Sequence, residues 1–260
     1  MFTHNINPIL FELGPLQIRY YGLLYLLGFV IGYFLIKHMI SKRKLNLSND
    51  EVLDYIFWIA LGTIIGARLF YTLVYNPSYY LSNLTEILYI WQGGLSFHGG
   101  FIGACVAVYL FCKKNKLNLL EMADITILPL ALALSLGRIA NFINAELIGT
   151  VTNVSWCVIF PGEEVCRHPS QLYASFKNII IFIFLWSIKD LKKIKEKPGL
   201  IFGLFILLYS FFRFIVEFYR SPDIQLGYLI LNLTMGQLLS IVMFILSLAW
   251  IIHISKLIKN

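Results

Sequence analysis

Charge is the scarcest property of this 260-residue chain: Asp, Glu, Lys and Arg together make up 13% of it, against 58% hydrophobic residues. A soluble domain carries roughly twice that charge, so a water-soluble globule is excluded and an all-α polytopic membrane protein is expected. Linkers are missing as well. No Ser-rich, Gly-rich or low-complexity stretch divides the sequence, and a single transmembrane domain over residues 1–260 is expected. No internal repeat is visible, which argues against a transporter built from matched halves. The opening stretch MFTHNINPILFELGPLQ lacks a basic region leading into a short apolar core and a small-residue cleavage site, so it is expected to stay in the mature chain. The histidines, at 4, 38, 98, 168 and 253, show no paired ligand spacing, and no metal site is expected. The basic loops lack the aromatic interleaving that stacks bases, so no nucleic acid partner is expected.

What the chain does have is long apolar runs. A spanning helix needs about 20 mainly apolar residues, and about seven runs qualify: 21–40, 52–74, 95–112, 125–143, 172–188, 200–218 and 233–254. Short loops rich in Lys and Arg stay in the cytoplasm. Lys37, Lys42, Arg43 and Lys44 close the first run, and Lys113, Lys114 and Lys116 the third. Lys189, Lys192, Lys193, Lys195 and Lys197 follow the fifth, and Lys256 and Lys259 the seventh. The opposite loops hold only Arg19, Arg167 and Arg220, with Lys177 near a helix start. The N-terminus is therefore expected outside, the C-terminus in the cytoplasm, and the loop around residues 145–171 facing outward. The net charge of +7 is mostly an orientation signal, with some attraction to anionic membrane lipids.

The remaining basic residues, Arg68, Arg138 and Arg213, fall in or at the ends of spans, all toward the outward end. Charged and amide groups at that depth are costly, which makes them a candidate site. Around Arg138 the stretch GRIANFINAELIG, Gly137 to Gly149, sets Asn141, Asn144 and Glu146 within one short segment. Polar glue between helices explains one asparagine easily but the whole group poorly. In YSFFRFIVEFYRSPD, Tyr209, Arg213, Glu217 and Arg220 stack on one helical face. Glu217 either forms an intrahelical ion pair that lets both charges enter the membrane, or aims Arg213 at an anionic ligand, whose two oxygens a planar guanidinium can grip. In WQGGLSFHGG, glycines including Gly99 bracket His98, allowing a bend and a close ligand approach. His98 reads equally as a packing residue or as a functional one. A membrane scaffold would show small-residue packing motifs without these charges.

These residues resemble a known family. GRIANFINAELIG is similar throughout to the signature of the prolipoprotein diacylglyceryl transferases. RYYGLLYLLGF at Arg19 to Phe29, GARLFY at Gly66 to Tyr71, GGLSFHGG, RHPSQLY at Arg167 to Tyr173 and RFIVEFYRSPD at Arg213 to Asp223 resemble that family's other blocks, in its order. One departure is Ala174, where the family commonly has glutamate. The resemblance implies an enzyme that moves the diacylglyceryl group of phosphatidylglycerol to the lipobox cysteine of prolipoprotein signal peptides, releasing glycerol phosphate at the outer face of the bacterial inner membrane. No cofactor is expected. Arg138 and Arg213 match the family's essential arginines and would bind the leaving phosphate, and His98 would be the base. Tyr21, Asn141 and Glu146 match positions needed for activity, and Gly149 would permit a tight turn. Arg68, Arg167, His168, Gln171, Glu217 and Arg220 are second-tier candidates, as structural as they are functional. The substrate supplies the sulfur, so no cysteine of the chain is needed. Cys157 and Cys166 share the outward loop and could pair if that compartment is oxidising.

Overall fold

The computed structural model describes residues 1–14, 16–222, 227, 229 and 232–257. Asp223 and Lys259, singled out above, lie outside the described residues. In chain order the elements are β1 (Phe2–Thr3), β2 (Ile9–Leu13), β3 (Leu16–Arg19), α1 (Tyr20–Arg43), α2 (Asn49–Phe70), α3 (Pro77–Ser82), α4 (Phe97–Lys114), α5 (Leu119–Ile143), β4 (Val158–Ile159), α6 (Ser170–Ile188), α7 (Lys192–Lys195), α8 (Leu200–Glu217) and α9 (Met235–Leu257).

The chain is an all-α polytopic membrane protein. Among the described residues six helices are long and apolar enough to cross a membrane: α1, α2 with its π-helical continuation Tyr71–Tyr75, α5, α6, α8 and α9. The expected run 95–112 does form a helix, α4, but it is not among the six. Its 18 residues include His98 and several glycines near one end and Lys113 and Lys114 at the other, which dilute its hydropathy. Helix α5 starts at Leu119 rather than near Ile125, because Asn118 caps it: the Asn118 side chain accepts from the Leu120 and Glu121 amides at 2.9 and 3.2 Å.

The chain divides into two compact units, Ile36–Ala123 and Met1–Leu35 with Asp124–Asn260. In the first, α2 and α4 cross at glycines. A Cβ on Gly66 or Gly103 would collide with the carbonyl oxygens of Gly99 and Gly62, so the backbones approach as only small residues allow. Ser48 and Glu51 form a reciprocal capping box at the start of α2, each side chain accepting from the other's amide.

In the second unit α8 packs on α6 and α9. Leu128, Ile181, Leu185 and Ile201 are fully buried. The hydroxyls of Ser135 on α5 and Ser175 on α6 meet at 2.7 Å, a polar link of the kind that joins helices in lipid. Large apolar side chains such as Phe34, Ile183 and Leu246 are exposed, as expected of helices whose solvent is hydrocarbon. The β2–β3 hairpin leads into α1. Strand β1 pairs in parallel with β4, in the segment that joins α5 to α6. A Cys157–Cys166 disulfide closes part of that segment.

Candidate active site

The arginine of GRIANFINAELIG is oriented by its own segment. Helix α5 ends at Ile143, and Ala145 and Leu147 then adopt left-handed backbone, φ +55° at each. Such conformations cost on the order of 1 kcal/mol or more in a residue with a Cβ, and they persist where surrounding bonds hold them. Here the Ala145 and Glu146 amides donate to the carbonyls of Phe142 and Asn141 at 3.0 and 2.9 Å. The reversal brings the Glu146 side chain back to the helix end. Its carboxylate accepts from Asn141 Nδ2 at 3.0 Å and from Asn144 Nδ2 at 3.1 Å. Asn141 Oδ1 in turn accepts from Arg138 at 3.3 Å. A relay from carboxylate through amide to guanidinium thus fixes Arg138. From α6, Gln171 donates to the Glu146 carbonyl at 2.6 Å and Ser170 to the Leu147 carbonyl at 2.9 Å.

Arg213 reaches the same place from α8. Glu217, four residues on, pairs with it at 2.7 Å. The Thr234 hydroxyl donates to Glu217 at 3.2 Å, and Gly236 lies so close that a Cβ there would meet the carboxylate. The sequence contains no signal for this support from the start of α9, because it depends on how α9 seats against α8. Arg138, Arg213 and Arg220 line one narrow cavity with Gln171 and Ala174. Ala174 is buried at that wall, where a glutamate would have brought a carboxylate against the guanidinium groups. Tyr21 lines a second cleft with Arg19, Asn144 and Glu146, and its hydroxyl lies 3.3 Å from that of Tyr25.

Gly149, expected to permit a tight turn, does not have a positive φ. It is clamped between two backbones: its amide donates to the His168 carbonyl at 3.1 Å, and an added Cβ would stand 2.5 Å from the Tyr219 carbonyl oxygen. The Gly149 carbonyl accepts from Arg167 at 3.1 Å and from Ser221 at 2.8 Å, and Glu163 holds Arg167 at 2.7 Å. Arg167 therefore latches the segment. His168 contacts the Tyr173 hydroxyl at 3.0 Å, and partial burial holds its pKa below the ordinary imidazole value.

Three of the expected site residues, His98, Gly99 and Arg68, belong to the other unit. His98 is exposed in the first turn of α4, just past the capping Ser96. Gly99 lies in the crossing of α2 and α4, where a side chain would collide with Gly66 and Phe70. Arg68 is buried, and its guanidinium donates to the carbonyls of Glu86, Ile87, Gly93 and Gly94 at 2.6 to 3.1 Å. Four of the five donors of a guanidinium are thereby committed to backbone, which supports the structural reading of this arginine. Lys177, expected near a helix start, lies within α6 and is buried, with its ammonium 3.7 Å from the centre of the Tyr209 ring.

The family model described as prolipoprotein diacylglyceryl transferase matches residues 8–253. The phosphatidylglycerol–prolipoprotein diacylglyceryl transferase of Rickettsia canadensis (strain McKiel) is 45% identical over 248 residues, 95% of this chain and 96% of the relative. The protein of that name from Geobacter sulfurreducens is 45% identical over 258 residues, 98% of this chain and 97% of the relative.

Proposed function

The chain belongs to the prolipoprotein diacylglyceryl transferase family, and from that premise we propose that it transfers the diacylglyceryl group of phosphatidylglycerol to the lipobox cysteine thiol of prolipoproteins, releasing glycerol phosphate. This is the first step of bacterial lipoprotein maturation. The observation that carries the reading is the convergence of Arg138 and Arg213 on one cavity, each held by its own carboxylate system.

The chemistry explains why guanidinium groups suit the task. The thiolate sulfur bonds to the glycerol carbon as the bond from that carbon to the phosphate oxygen breaks, and the electron pair leaves with the oxygen. A singly charged diester becomes a doubly charged monoester. Groups that bind the dianion better than the diester stabilise the transition state selectively. An unperturbed thiol has a pKa of roughly 8.5, so a base raises the reactive fraction. His98 is assigned that role, with Tyr21, Asn141 and Glu146 orienting the headgroup and Arg138. Glu217 and Gly149 support the phosphate site. Arg68 and Gly99 act by shaping the unit that carries His98.

The reading places the protein in the bacterial inner membrane with its site toward the outer face and the loop around residues 145–171 outside. The excess of Lys and Arg in alternate loops supports that orientation.

The test is transfer from phosphatidylglycerol to a lipobox peptide by the purified protein. Arg138→Ala and Arg213→Ala should each lower the rate at least about 100-fold, the scale of losing a preorganised charge at a developing anion, while membrane insertion survives. Near-normal rates in either variant would remove the phosphate clamp. In the same assay His98→Asn should lose activity across the pH range; activity that returns at high pH would assign thiolate formation to the arginine field instead.

A further inference from the structure

We propose that Lys177 is a third cation of the phosphate site, acting on the leaving group through the charge it places beneath Arg138 and Arg213. The inference rests on the transferase reading given above and extends it to a residue outside the family's recognised blocks.

Lys177 is 5% exposed. Its Nζ donates to Asn178 Oδ1 at 2.8 Å and stands over the Tyr209 ring at 3.7 Å. Both partners are neutral. A buried cation whose partners, Asn178 and Tyr209, are both neutral is expensive, and such a group is retained where a counter-ion arrives. The helical register shows where. Ala174, one turn before Lys177 on α6, forms the cavity wall, and Tyr209 stands one turn before Arg213 on α8. Lys177 and Tyr209, in contact with each other, thus stand one helical turn from Ala174 and Arg213, which line the cavity. Glu217 and Glu146 are the carboxylates tied to these arginines, so Arg138, Arg213 and Lys177 leave positive charge in excess. Ala174 supplies no carboxylate to cancel it.

A charge one helical turn from the cavity wall favours the dianionic leaving group over the monoanionic lipid. Removing it should therefore weaken product binding more than lipid binding. In the full-length protein in detergent, Lys177→Met should raise the inhibition constant for glycerol phosphate about tenfold and lower kcat by a similar factor. The KM for phosphatidylglycerol should rise less, about threefold, and the KM for the lipobox peptide should not change. Asn178→Asp neutralises the ammonium without removing it and should shift the inhibition constant in the same direction. Lys177→Arg, which keeps the charge, should restore it. Lysine acting only as packing would move the melting temperature and leave the ratio of the two constants alone.

Wild-type inhibition by glycerol phosphate in Asn178→Asp, and in Lys177→Met where that variant folds, overturns the proposal. Failure of the underlying transferase reading looks different: the unaltered protein would transfer nothing, or Arg138→Ala would turn over normally.

Discussion

Arg68 and Arg138 are the same side chain in similar apolar surroundings, and only their partners separate them. Arg68 faces backbone carbonyls, fixed acceptors that occupy its donors. Arg138 donates one long bond to a side-chain amide oxygen and also lines a cavity. The sequence showed that both arginines sat at a costly depth. It could not tell which was satisfied internally, because the carbonyls that satisfy Arg68 come from residues 86–94, brought back by a chain reversal after α2. Gly149 teaches the same lesson. Its residue type signalled a constraint, but the constraint is the nearness of the His168 and Tyr219 backbones rather than a turn. Gly149→Ala should therefore destabilise the protein by about 2 kcal/mol, typical of forcing atoms into a packed site, read as a lowered melting temperature in detergent. An unchanged melting point would mean that the two backbones can separate at little cost.

At the scale of elements, the spanning helices were legible because a run of apolar residues long enough to cross hydrocarbon has few other fates. Their ends were less so. Asn118 moves the start of α5 outward through capping, and α2 runs into a π-helical turn at Tyr71–Tyr75 that no periodicity signals. The segment between α5 and α6 was opaque, since its architecture comes from pairing β4 with β1 across more than half the chain and from a disulfide. That disulfide is followed directly by Arg167, which holds the Gly149 carbonyl. Closing so short a loop is worth about 3 kcal/mol in chain entropy. Reduction, or Cys157→Ala with Cys166→Ala, should lower the melting temperature by an amount corresponding to that scale. Activity should fall in parallel as the latch on Gly149 loosens. A melt insensitive to reductant would show that the strand pairing alone holds the segment.

For the whole molecule, the polarity of insertion is the property that every site assignment shares. In the proposed orientation, in which α4 crosses as well, the basic residues at or just after the ends of α1, α4, α6 and α9 face the cytoplasm. With Cys105 and Cys112 replaced by alanine, a cysteine introduced at Glu164 should react with a membrane-impermeant maleimide in intact cells. One at Lys193 should react only after permeabilisation. The reverse pattern would put the arginine cavity on the wrong side for an exported substrate.

What the sequence by itself determined is the solvent and the kind of chemistry. Scarce charge and long apolar runs require a membrane, and arginines inside those runs require something to neutralise them. These conclusions follow from composition and transfer energies, which are local properties of the chain. What only the tertiary structure decided is the pairing: Glu146 to Asn141 to Arg138, Glu217 between Arg213 and Thr234, and Lys177 of α6 against the Tyr209 ring of α8. The physical reason is range. Desolvation acts on each residue wherever its helix lies, whereas a hydrogen bond or ion pair exists only when separate helices bring two groups within a few ångströms.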